Sequence, residues 1–407
     1  MQISSYESSV VNKRKQIVKL FDAIERNDDG PAMYAEPKFI YWNRSAREDV
    51  AKVREVLEGW FSHYPDSEQE SLRRRFRSSD DFNHRAAFFE LFLHEVLLRL
   101  DCSVEIHPQP STATTRLPDF LVQSPDGNLF YLEAVLATDE SSKETAARSR
   151  MNAVYDALNQ MDSPNFFIGM ELRGAPRTPP PAKQIRSFLE KHLSALDPDD
   201  IGKLWQSHGL DGVPRWLCRH EGWEIEFYPI PKSPGLRGKP GIRPIGIQSS
   251  GWHWQKVEGR LAIRNAILAK AGRYGNLDLP YVIAVNALGD ALDRGIIMEA
   301  LFGQEQVVSY ASPLGVERVE ETRALDGAWI NESGPRYTRV SAILIASGLH
   351  PGNLAIAPSC LCHNPWAKRR YAGALARLPQ AIPKDGRMQW QAGESLGAIL
   401  GLPPDWP

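Results

Sequence analysis

Three carboxylates carry the clearest chemistry in this chain. Glu90 falls in an apolar, helix-patterned stretch, Asp119 follows Pro118, and Glu133 interrupts the apolar run 129–138. A carboxylate among apolar neighbours is costly unless it pairs, hydrogen-bonds or holds a metal. Three of them spaced helix, strand, strand suit a divalent cation, which prefers hard oxygen ligands. Side chains alternate along a strand, so Tyr131, Glu133 and Val135 share one face and Leu132, Ala134 and Leu136 the other. A hairpin folded about Asp126-Gly127 sets residue 119 opposite 133 or 134, according to whether its turn carries a bulge. Asp119 and Glu133 are therefore expected to meet as ligands of Mg2+ or Mn2+, an ion that activates water and stabilises charge on a phosphodiester.

The elements that must position these groups can be read from periodicity and turn chemistry. Phe89, Phe92, Leu93, Val96 and Leu100 follow the i, i+3, i+4, i+7 rule and predict a helix over 83–100. Strands are expected at 103–107, 119–123 and 129–138, the last two joined by Ser124-Pro125-Asp126-Gly127-Asn128. A polar helix over 142–161 and a strand over 165–172 complete an expected α/β unit. Amphipathic helices are expected at 8–26 and 45–78, the second ending in Arg73-Arg74-Arg75-Phe76-Arg77. The proline-rich stretch 174–182 reads as a linker. Beyond it helices are expected near 183–196, 258–271 and 290–302, and strands near 224–230, 281–287, 340–346 and 353–358.

Glu90, Pro118-Asp119 and Glu133-Ala134-Val135, on helix, strand and strand with a helix and strand after them, resemble the PD-(D/E)xK restriction-endonuclease-like nuclease superfamily. The resemblance covers residues 83–173 and implies a mixed sheet flanked by helices. It implies Asp119 and Glu133 as metal ligands and Glu90 as the supporting carboxylate. The family's motif lysine positions or activates the attacking water, but this chain has Val135 there. Lys143, opening the next helix, is the expected substitute, with His107, Gln109 or Arg116 as further polar groups at the site's edge. The division expected on this basis is a helical N-terminal extension over 1–80, a nuclease core over 81–175, and a large α/β region over 176–407 for recognition or partner contacts.

Bulk properties constrain the partners. The formal net charge is −2, so no overall basic field advertises nucleic acid, and a local basic groove must serve instead. Lys232, Arg237, Lys239 and Arg243, in a Gly/Pro-rich stretch followed by Trp252, His253 and Trp254, are the expected phosphate-gripping surface. The run Trp366-Ala367-Lys368-Arg369-Arg370-Tyr371 is a second basic and aromatic cluster. Residues 235–246 lack the Gly-Lys-Ser/Thr ending of a nucleotide-binding loop, and no Gly-x-Ser-x-Gly elbow supports serine hydrolase chemistry. Cys360-Leu361-Cys362-His363 lacks structural-zinc spacing, and four scattered cysteines make no disulfide framework. No apolar run approaches the ~18 residues that span a bilayer, and a cytoplasmic location is expected. The expected function is Mg2+-dependent hydrolysis of DNA, in restriction, repair or phage defence, with RNA as the alternative substrate. A homodimer or a protein partner is compatible with two-strand cleavage. The competing expectation is a catalytically inactive nuclease-fold protein that binds nucleic acid or acts as a scaffold.

Overall fold

A computed structural model describes residues 18–110, 116–138, 142–245, 259–289, 293–312 and 315–407. Four helices come first: α1 (Lys38–Arg44), α2 (Glu48–His63), α3 (Asp66–Phe76) and α4 (Asp81–Arg99). The expected helix over 45–78 is thus two, parted at Tyr64-Pro65, because Pro65 supplies no N–H to continue the ladder and biases Tyr64 to extended backbone. Residues 18–26 are not helical, and the rest of the expected first helix lies outside the described residues. The Asp80 side chain caps α4 by accepting from the Phe82 N–H. Phe88, Phe89, Leu91, Phe92 and Leu93 are all buried, so α4 is covered on more than one side.

Strands β1 (Ser103–Ile106), β2 (Phe120–Gln123) and β3 (Leu129–Ala137) form the expected antiparallel run. Next come α5 (Ser142–Asn159), β4 (Phe166–Gly174), α6 (Ala182–Ser194), α7 (Pro198–His208), β5 (Trp216–His220) and β6 (Trp223–Pro231). They are followed by α8 (Gly259–Ala271), β7 (Tyr281–Ala287), α9 (Arg294–Phe302), the hairpin β8 (Glu305–Ser312) and β9 (Gly315–Arg323), and the short pair β10 (Ile330–Asn331) and β11 (Gly334–Pro335). The chain closes with β12 (Val340–Ser347), β13 (Ser359–His363), β14 (Gln380–Lys384), β15 (Arg387–Gln391) and α10 (Leu396–Leu400). The expected strand over 353–358 is a turn instead, with the Ile356 and Ala357 N–H groups both donating to the Asn353 carbonyl.

The main sheet is mixed and eight-stranded, in the order β1-β2-β3-β7-β12-β13-β14-β15. β3, β7 and β12 run parallel at its centre, and β7 and β12 are buried at every position, which is why they read as largely apolar runs broken only by Asn286, Ser341 and Ser347. Phe130, Leu132 and Leu136 of β3 enter a core shared with α2, α3 and α4, whereas Tyr131 and Ala137 enter one shared with α8 and α9. The sheet is therefore flanked by helices on both faces.

This arrangement crosses the expected boundary at residue 175. The strand beside β3 is β7, and β4 pairs instead with β6 in a separate three-stranded sheet, β4-β6-β5, under α5, α6 and α7. The helices packed against β3 are α4 on one face and α8 on the other, whereas α5 packs against α6. The Asp156 carboxylate of α5 accepts from the Tyr34 and Ala35 N–H groups, so the N-terminal segment is bonded to this second unit. Among the described residues no helix is long and apolar enough to cross a membrane. A fragment ending at residue 175 would leave the β7 side of β3 unpaired and its apolar face uncovered. It is expected to show no cooperative urea transition, whereas the full chain shows one.

Candidate active site at the β2–β3 hairpin

The β2–β3 turn spans Ser124 to Asn128, with Gly127 at φ 84°, a conformation that costs glycine little. It fixes Phe120 opposite Leu132, so Asp119, one residue before β2, lies at the level of Glu133. Asp119 is held there from both sides. Its Oδ2 accepts from the Ala134 N–H at 2.7 Å, and its backbone carbonyl accepts from the His107 N–H at 3.0 Å. Burial, then the charges of Glu133 and Glu90, push the Asp119 carboxyl up to about 8.

Glu133 is 1% exposed, on the face of β3 that α8 covers. Lys270, in the last turn of α8, donates to its Oε1 at 2.5 Å, and Arg273 Nη1 approaches the same oxygen at 3.4 Å. The Tyr274 hydroxyl lies 2.5 Å from Oε2 and 3.0 Å from the Leu117 carbonyl. Its single proton can serve only one acceptor at a time. Burial and the Glu133 charge raise the Tyr274 phenol well above its ordinary range, so it remains a hydrogen-bond donor at neutral pH.

Glu90 stands on α4, in the opposite helical layer. Arg75, from the last turn of α3, clamps it with two bonds of 2.5 and 2.7 Å. The charges of Glu90 and Glu133 both act on Asp119. Compared with family models, curated proteins and solved structures, the chain finds no match.

The cation beside Glu133 is not the expected one. Lys143 lies exposed in the first turn of α5, and it is Lys270 that meets the carboxylate. Val135 packs into the apolar layer that α8 covers. The sequence does carry a signal, the run Lys270-Ala271-Gly272-Arg273-Tyr274 at the close of an expected helix. Only the long-range pairing of β3 with β7 brings it to Glu133. At the edge of the site His107 adopts φ 49° and its Nδ1 lies 3.5 Å from Glu68.

The expected phosphate-gripping residues are mostly committed elsewhere. Lys232 is 2% exposed, donates from Nζ to the Ser163 carbonyl at 2.8 Å and lies over the Phe167 ring, a position no phosphate reaches. Arg237 bonds Asp199 and the Lys232 carbonyl, and Arg243 bonds the Pro31 and Ala32 carbonyls. Lys239 alone of the four is exposed without a side-chain bond among the described residues. The accompanying Trp252, His253 and Trp254 lie outside the described residues. In the second cluster Lys368, Arg369 and Arg370 are exposed while Tyr371 packs edge-on against Phe130. A cavity of about 260 Å³ between α6 and the β5–β6 hairpin contains none of the three carboxylates.

Two outcomes follow from this geometry. Truncating Glu133 to alanine strands the Lys270 ammonium beside an empty buried position and leaves the Tyr274 hydroxyl only the Leu117 carbonyl, and the expected cost is roughly 3–5 kcal/mol in urea unfolding. For Asp119 the folded-state value lies above the ordinary 3.8, so the folded protein holds more protons than the unfolded chain between about pH 4 and about pH 8. Its contribution to stability is full below that window and is lost as pH rises through it. Asp119→Asn keeps an acceptor for the Ala134 N–H. It should flatten this part of the pH–stability curve and be more stable than the native protein at about pH 8, compared by urea midpoints.

Proposed function

We propose that this protein is a divalent-cation-dependent nuclease that hydrolyses DNA, built on a restriction-endonuclease-like core. The order α4, β1, β2, β3, α8, β7 supports that core, with β2 antiparallel to both neighbours and β7 parallel to β3. The observation that carries the reading is the Lys270 ammonium 2.5 Å from Glu133. It supplies from a helix the cation that Val135 withholds on the strand, so the residue types the resemblance calls for are present beside one another.

The resemblance implies a metal ion, and the donor set fits one. Asp119 keeps Oδ1 without a hydrogen bond among the described residues, and Glu133 Oε2 accepts a single bond, from Tyr274. Burial, and then the charges of Glu133 and Glu90, raise the Asp119 carboxyl, and a cation there would favour its ionised form. Among the described residues no three His, Cys, Asp or Glu side chains could hold an ion by themselves. Two carboxylates with water and a substrate phosphate are the usual set for Mg2+. When bound, such an ion makes water more acidic and offsets charge developing on phosphate.

In this reading Asp119 and Glu133 would hold the ion, and Lys270 would orient the attacking water and stabilise negative charge at the site. Glu90 stays paired with Arg75, and its charge disfavours ionisation of Asp119 unless a cation offsets it. Restriction, repair or phage defence in the cytoplasm is the setting proposed. Glu133 already has three partners, an observation that favours the second reading, an inactive nuclease-fold protein in which the cluster only supports the fold.

Cleavage of end-labelled DNA separates the two. With Mg2+ or Mn2+ the native protein should cut. Asp119→Asn should abolish cutting, and Lys270→Gln should lower kcat by about 10²–10³ with folding retained by circular dichroism. Absence of cutting with either ion, or cutting indifferent to both substitutions, would overturn the nuclease reading.

A further inference from the structure

The cations at the end of α8 and in the turn after it exceed what Glu133 needs. Lys270 makes the close contact and is 18% exposed, whereas Arg273 stands at 3.4 Å from the same oxygen and is 35% exposed. Glu90 is matched by its own bidentate Arg75, so it makes no demand on Arg273. Of the five N–H donors a guanidinium carries, Arg273 spends one, on that long bond, and its Nε is buried with no acceptor among the described residues. Among the described residues its guanidinium also lies 5.9 Å from the centre of the Tyr274 ring. A planar fork of unspent donors, about a third exposed beside the buried Glu133 carboxylate, matches a tetrahedral oxyanion better than it matches an occupied carboxylate.

We propose that Arg273 is a phosphate-binding residue of this site, taking a phosphate of the DNA backbone through its partly exposed guanidinium. This rests on the nuclease reading for the identity of the substrate, but not for the contact itself. Lys270 then remains with Glu133, and the two cations divide the work: one is fixed to the buried carboxylate and the other meets the incoming phosphate. The bond to Glu133 holds the guanidinium near the carboxylates and is weak enough to yield to a doubly charged-assisted contact.

The test is binding of a fluorescent 20-base-pair DNA duplex to the full-length protein in EDTA, by anisotropy over a range of salt. One lost phosphate contact lowers the slope of log affinity against log salt by about one, which is about eightfold at 0.1 M salt if the curves meet near 1 M. Arg273→Ala should show that loss, Arg273→Lys should keep the slope with weaker binding, and Arg219→Ala, in the smaller sheet, should match the native protein. If the alanine variant does not fold, Arg273→Gln carries the same comparison. A parallel cleavage assay with Mg2+ separates the two ideas. Native cleavage with an unchanged slope in the Arg273 variants overturns the phosphate assignment alone. Loss of slope without native cleavage supports the assignment and overturns the nuclease. Native protein that binds no DNA overturns the assignment.

Discussion

A buried negative charge in the middle of a strand is the constraint around which this molecule is arranged. Glu133 sits at 1% exposure within β3, where an unpaired carboxylate would cost several kcal/mol. Its charge is met by groups from outside the hairpin: Lys270 from the end of α8, and Arg273 and Tyr274 from the turn after it. That network fastens α8 to β3. Because α8 leads directly into β7, the same contacts set the helix that feeds the parallel neighbour of β3. Electrostatics and sheet pairing thus make the same demand on the chain.

The long excursion between β3 and β7 is tolerable for that reason. A parallel pairing needs a crossover, and here the crossover holds a whole second unit, β4-β6-β5 with α5, α6 and α7. Loop-closure entropy rises only slowly with length, so a folded insertion costs the sheet little once β3 and β7 are joined. The Arg243 and Asp156 side chains tie that unit to the backbone of residues 31–35, Arg243 donating to carbonyls and Asp156 accepting from N–H groups. The basic residues expected to grip DNA are among those that do this structural work. A lysine or arginine in a Gly/Pro-rich stretch has no periodicity to say whether its head meets solvent or a carbonyl, and Lys232 meets Ser163.

Local features were legible. The α4 stripe, the Asp126-Gly127 turn and the alternation in β3 follow from short-range rules, and they bring Asp119 beside Glu133. Long-range features were not. Residues 165–172 are as strand-like as residues 281–287, and nothing local says which of them will lie against β3. Burial on both faces distinguishes them: every residue of β7 is buried, while β4 leaves its last residues exposed. That difference belongs to the folded chain, and it is the pairing of β7 with β3 that makes Lys270 rather than Lys143 the cation. Pro65 was a readable break in the second helix, and its missing N–H is sufficient cause.

Val135 makes sense in this frame. A lysine at that position would project from β3 into the apolar layer beneath α8, where Val135 packs with Ile263, Ile267 and their neighbours. Its ammonium would have to be desolvated or bend back toward Glu133. An ammonium carried on α8 approaches the same carboxylate from the helix side and keeps its own stem partly exposed, at 18%. The charge beside Glu133 is preserved while the strand stays apolar at the position the helix covers. Under the nuclease reading, the chemistry depends on where the ammonium ends rather than on which element bears it. Substitution of the motif residue is then compatible with a working site, because a buried carboxylate demands a cation from whichever neighbouring element can reach it.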